Sequence, residues 1–176
     1  MRMRSSGVLS ASVLVVLFAG CSVFTGVDGT NEVALTTDSR HYTVSVIHPS
    51  PSVTWYTVSV VTRYRNFTRD TVFLERCDPT SRTPTHGVSY LGSPTAPAGY
   101  GAGWACKGHE SHLAVAPGDV RVDTLLLVGP NSYDQMVALE GSFRLYFVPM
   151  TCRSGNCEIE EDRLRASNTF HLTLPK

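Results

Sequence analysis

Residues 55–77 read WYTVSVVTRYRNFTRDTVFLERC. Tyr56, Val58, Val60 and Tyr64 take one face of an extended chain, interrupted by Thr62. Thr57, Ser59, Arg63 and Arg65 take the other, with Val61 the exception. A repeat of two belongs to a half-buried strand and to no helix, so this stretch commits the chain to β-structure. Residues 66–70 read as a polar turn, and residues 71–76 as a return strand with Val72 and Leu74 on one face. The pair reads as a hairpin ending on Cys77. Asn66-Phe67-Thr68 has the pattern of an N-glycosylation acceptor but reads here as turn chemistry, because asparagine bonds its own backbone in turns.

The same alternation recurs down the chain. Tyr42, Val44 and Val46 alternate with Thr43 and Ser45, and Pro49-Ser50-Pro51 stops that strand. Residues 112–116 form a short strand before the tight turn Pro117-Gly118-Asp119, where glycine supplies a positive φ. Val120, Val122, Thr124, Leu126 and Val128 alternate with Arg121, Asp123, Leu125 and Leu127. The late half of this strand is apolar on both faces, as in a central strand. Phe143, Leu145 and Phe147, then Phe170, Leu172 and Leu174, mark two closing strands. Residues 132–140 allow one helical turn, and residues 158–165 are charged and expected at the surface. Seven to eight strands with no long helix point to an all-β domain, an immunoglobulin-like antiparallel sandwich; a closed barrel is the runner-up.

The first 20 residues stand apart. Arg2 and Arg4 precede an apolar run from Val8 to Ala19, and small residues lead to Cys21. This is the order of a secretory signal helix, too short for a stable span. Leu17-Phe18-Ala19-Gly20-Cys21 resembles the lipobox of bacterial lipoproteins, with Phe18 where that family usually has an aliphatic residue. The resemblance implies cleavage before Cys21, diacylation of its thiol and a membrane anchor in the cell envelope. Ser22 in place of aspartate implies outer-membrane sorting in a host with two membranes. Residues 21–39, small and polar, read as a tether, and residues 40–176 as the domain.

Loss of the signal leaves 13 basic against 15 acidic residues, a balance that offers nothing to nucleic acid. It also leaves four cysteines besides Cys21, an even number suited to an oxidising compartment. Of three pairings, Cys77–Cys106 with Cys152–Cys157 is favoured, since Arg-Ser-Gly-Asn between the second pair is a turn-like spacer.

The stretches Val58-Ser-Val-Val-Thr-Arg-Tyr-Arg-Asn66, Thr71-Val-Phe-Leu-Glu-Arg-Cys77, Val115-Ala-Pro-Gly-Asp119 and Gly141-Ser-Phe-Arg-Leu-Tyr146 together resemble a loose class of small bacterial secreted or lipoprotein domains with an immunoglobulin-like fold. The likeness spans roughly residues 40–175 and carries no functional residues.

No nucleophile elbow, phosphate loop or dinucleotide fingerprint is present, so a non-enzymatic role without cofactor is expected. Residues 78–111 are rich in Pro, Gly, Ser and Thr, and a loop this long is either functional or partly ordered. His86, Tyr90, Tyr100 and Trp104 make it the expected contact surface, for an envelope protein or a glycan. His109, Glu110 and His112 are an alternative metal site, lacking the helical spacing of HExxH. Arg63, Arg65, Arg69 and Arg76 read mainly as a solvated face. The expectation is therefore a monomeric interaction module held at a membrane by a lipid anchor.

Overall fold

The protein's structure, a computed structural model, describes residues 34–176 apart from 94, 104–105, 107–110, 132–135, 154–155 and 160–161. The expected signal helix, Cys21 and the tether to residue 33 lie outside the described residues.

The described chain is all-β, with a single helical turn. In order it forms β1 (Leu35–Thr37), β2 (His41–Thr43), β3 (Ser45–Ser50), β4 (Val53–Arg65), β5 (Val72–Arg76), β6 (Gly87–Tyr90), β7 (Gly101–Ala102), β8 (Ser111–Val115), β9 (Val120–Gly129), β10 (Gly141–Tyr146), β11 (Pro149–Arg153), β12 (Asn156–Ile159), α1 (Asp162–Arg165) and β13 (Phe170–Thr173). The first sheet runs β1-β4-β9-β7, with β3 also paired to β4. The second runs β2-β13-β10-β6 and the third β12-β11-β5-β8. These strand pairs are antiparallel, except that β2 and β13 run parallel.

Three boundaries differ from the sequence expectation. The sheets begin before Arg40: Ala34 and Leu35 are apolar and buried, and Leu35 pairs with Tyr64, so β1 lies within the stretch read as tether. Residues 158–165 contain α1, whose Leu164 enters the core. Most consequentially, β4 and β5 are not a hairpin. β4 pairs with β9 over ten rungs, from Tyr56 opposite Gly129 to Arg65 opposite Val120, whereas β5 pairs with β8 and β11 in another sheet. Since β8 leads directly into β9, the partners continue together. One two-stranded ribbon, β4–β5 against β8–β9, turns a corner from the first sheet into the third, as strands do where they switch sheets.

Asn66 holds that corner. Its side chain is buried at 1% exposure. Its Nδ2 donates to the carbonyls of Asp70 (2.8 Å) and Val115 (2.9 Å), and its Oδ1 accepts from the amide (2.9 Å) and hydroxyl (2.7 Å) of Thr68. Its backbone N–H donates to Asp119 O (3.0 Å), and its carbonyl accepts from the Gly118 N–H (2.9 Å). Gly118 has a φ of 81°, which suits glycine in the Pro117–Asp119 turn. Every polar atom of the Asn66 amide is thus used, and the side chain is enclosed rather than presented to an enzyme.

The inner faces of all three sheets meet in one core. Val58, Val60 and Tyr64 of β4 lie with Leu125 and Leu127 of β9, Val72 and Leu74 of β5, Phe143 and Leu145 of β10, and Phe170 and Leu172 of β13. Phe143 stacks on Phe170 at 6.2 Å, and Tyr100 meets Phe143 edge-on at 5.8 Å. Each such side chain contributes on the order of 2 kcal/mol by leaving water. Two polar groups enter this layer with partners. Thr62 Oγ1 donates to Asp123 O (3.3 Å), and Arg121 grips the Asp123 carboxylate through Nε (2.8 Å) and Nη2 (2.7 Å). Arg121 Nη2 also reaches Arg82 O (2.6 Å), tying the loop after β5 to β9.

Cys77 is disulfide-bonded to Cys106, and Cys152 to Cys157. The first bond pins the loop that leaves β5. The second closes the β11–β12 hairpin, where the two cysteines are directly opposite.

Two measurements test these supports. Asn66→Asp replaces two donors by acceptors facing carbonyls, so urea denaturation should show a loss of about 3 kcal/mol. A loss as small as that of a surface substitution would remove Asn66 from the corner. In Cys77→Ala/Cys106→Ala, release of the loop should lower stability by about 3–4 kcal/mol before strain, read by the same titration under oxidising conditions.

Candidate interaction surface

The residues expected to form a contact surface in the 78–111 loop do not gather at the surface. Tyr100 is in the core, and its hydroxyl donates to Leu139 O (2.9 Å); burial there pushes its phenol upward. His86 is 8% exposed. Its Nδ1 lies 3.2 Å from Pro84 O, so Nδ1 carries the proton, and burial pushes the imidazole below the ordinary histidine range. Tyr90 is half-buried against Phe143, with ring centres 5.3 Å apart. Tyr90 and Tyr100 therefore pack against the core, and His86 is enclosed beside Pro84. Trp104 lies outside the described residues.

Of the alternative metal site, only His112 falls among the described residues. His109 and Glu110 lie outside the described residues. His112 is exposed on β8, its ring edge-on to Phe73 at 6.5 Å. Among the described residues, no group of three or more His, Cys, Asp or Glu is placed to hold a metal ion.

The exposed surface with chemical character is the outer face of the first sheet. The ten-rung register of β4 and β9 fixes it residue by residue. Thr57 lies opposite Val128, Ser59 opposite Leu126, Val61 opposite Thr124, Arg63 opposite Val122 and Arg65 opposite Val120. Trp55 extends the row at one end and lies opposite Ile47 of β3. Trp55 is 44% exposed, Val122 53% and Leu126 51%, and Ile47, Val53 and Val120 are exposed too. The late half of β9 is apolar on both faces, as in a covered central strand, yet only the inner face enters the core.

This face has two unlike ends. At one, Trp55 and Val53 line a cleft of about 340 Å³ with Ser52, Thr54, Pro130 and Asn131. A side chain at Gly101, on the neighbouring β7, would collide with the Asn131 amide, so glycine allows this close approach. At the other end are Arg63 and Arg65, both exposed, with the Arg65 guanidinium 4.8 Å above the exposed ring of Phe67. None of the outward strand positions between the ends carries a carboxylate.

Arg69 is exposed beyond this face, whereas Arg76 is engaged internally. Its Nε donates to Ser111 Oγ (3.0 Å) and its Nη1 to Ser81 O (3.2 Å). Trp55 escaped the sequence reading as a site residue, although its phase was visible: it alternates against Tyr56, Val58 and Val60, and so must leave the core.

Neither a protein-family model nor a curated protein matches this sequence.

His86 generates a pH prediction. Its proton affinity is lower folded than unfolded, so the unfolded chain binds more protons as acidity rises. The stability tied to its neutral form is complete above about pH 6.5 and is lost as pH falls through the range below. Denaturation midpoints should drop on acidification, and less steeply in His86→Phe. Parallel profiles would place the titrating group elsewhere.

Proposed function

We propose that this protein is a lipid-anchored envelope protein whose β-domain is a non-enzymatic interaction module, its sheets arranged as an immunoglobulin-like sandwich. Several features support that reading. The Cys21 motif resembles a lipobox. Two disulfides suit an oxidising compartment outside the cytoplasm. Sheets that share one core and exchange strands at corners are the elements from which sandwiches are built.

The observation that carries the interaction role is the apolar, half-exposed row on the outer face of β4 and β9, capped by Trp55. Contiguous exposed apolar surface on a folded domain marks a contact site, and tryptophan and arginine are the side chains most often found at the energetic centre of interfaces. The occupant is a second protein of the envelope. Its contact surface is apolar at the middle and carries carboxylates where it meets Arg63 and Arg65, because both guanidinium groups are exposed there. The loop of residues 78–111 then serves as scaffold rather than as contact surface.

A photo-crosslinker at position 126 of the anchored full-length protein tests this in native membranes. One partner should be captured, with cross-links mapping to an acidic-edged apolar patch. Its binding to the purified protein should weaken at least tenfold in Val122→Glu and in Arg63→Glu/Arg65→Glu, and keep its strength in Thr173→Ala on another sheet. Self-capture alone, or binding indifferent to Val122→Glu, would sink the assignment.

A further inference from the structure

The second sheet carries a different surface on its outer face. β13 lies between β2 and β10, and their registers place His41 opposite His171 and His171 opposite Ser142. Two imidazoles and a hydroxyl thus form one row across three strands, drawn from positions 130 residues apart in sequence. The rings of His41 and His171 are 6.1 Å apart, and His171 Nδ1 is 3.4 Å from Ser142 Oγ. They line an open cleft of about 330 Å³ with Arg40, Thr169 and Phe170. Arg144, two residues beyond Ser142, donates from Nε to Thr169 Oγ1 (3.3 Å), which brings a second guanidinium to the rim.

The charge of this cleft is one-sided. None of its lining residues is a carboxylate. Glu140, two residues before Ser142, is directed to the other end of the row, where its Oε1 accepts from the Leu174 N–H (3.0 Å). Thr173 on β13 and Ser89 on β6, opposite Arg144, add neutral groups to the same face. A cation would find two imidazoles but no anionic ligand, and two guanidinium groups nearby. A tetrahedral oxyanion would find planar guanidinium donors, imidazole N–H groups and hydroxyls, the usual partners of phosphate.

We propose that the Arg40–His41–Ser142–His171 cleft is a binding site for a phosphate or sulfate group, held on the opposite chemistry from the apolar face of the first sheet. A free ion and the headgroup of an anionic phospholipid share this recognition chemistry.

The test titrates the full-length protein with sodium sulfate, at ionic strength held constant with chloride, and follows histidine side-chain NMR signals. Saturable shifts at His41 and His171 are expected. Affinity should fall about tenfold in Arg40→Ala and again in His41→Ala/His171→Ala. All these side chains lie on an outer face, and an unchanged melting temperature identifies variants that remain folded. A second arm measures binding to phosphatidylglycerol against phosphatidylcholine vesicles, using protein with Cys21→Ser. A preference for phosphatidylglycerol that Arg40→Ala abolishes identifies the headgroup as the source, and sulfate binding without that preference identifies the free ion. Linear, unsaturable shifts, equal response to chloride, or a Zn(II) response in place of a sulfate response would overturn the proposal.

Discussion

The fold depends on how one side-chain amide is used. Asn66 occupies the point where a two-stranded ribbon leaves the first sheet and enters the third, and its two donors and its oxygen join three pieces of backbone there. Backbone groups at a corner cannot continue the ladder and are buried by the sheets around them, so they need partners from elsewhere. A hydrophobic residue at this position would leave the Val115 and Asp70 carbonyls without these donors, and an exposed turn would let the ribbon run straight. The neighbouring turn complements it through Gly118 and Asp119.

Beyond that corner, the long ladder of β4 and β9 sets both what is buried and what is displayed. A period-two strand that places Val58, Val60 and Tyr64 inside must place Trp55, Ser59 and Arg63 outside. The partner strand obeys the same rule, with Leu125 and Leu127 inside against Val122 and Leu126 outside. The apolar face is therefore not an accident of loop placement. A one-residue slip in register would exchange the two faces and expose the core, so the surface is as firmly specified as the interior.

Strand identity was legible in the sequence because alternation is a local signal. β4, β9, β10 and β13 all sit where their apolar repeats lie. Strand partnership was not legible: alternation says which face is buried but not which neighbour supplies the hydrogen bonds, so residues 55–77 read as a hairpin when they form a corner. Composition misled in the 78–111 loop for a related reason. Tyrosine and histidine among glycine and proline suit an exposed contact loop and an enclosed one equally well, and only the packed fold shows Tyr100 and His86 buried. The His41–His171 row had no sequence signal at all, because its spacing is set by the pairing of a strand near the start of the domain with one at its end. The two disulfides followed from parity and spacing, which depend on the chain alone.

That same terminal pairing bears on how the domain is assembled. β13 is an inner strand of its sheet, and Phe170 and Leu172 supply part of the shared core. Without β13, β2 would have no neighbour in this sheet and β10 would keep only β6. Residues 170–173 complete the second sheet and bring His171 beside His41 in the same event. Closure of the second sheet and creation of the histidine row are thus one event, and a chain without β13 has neither.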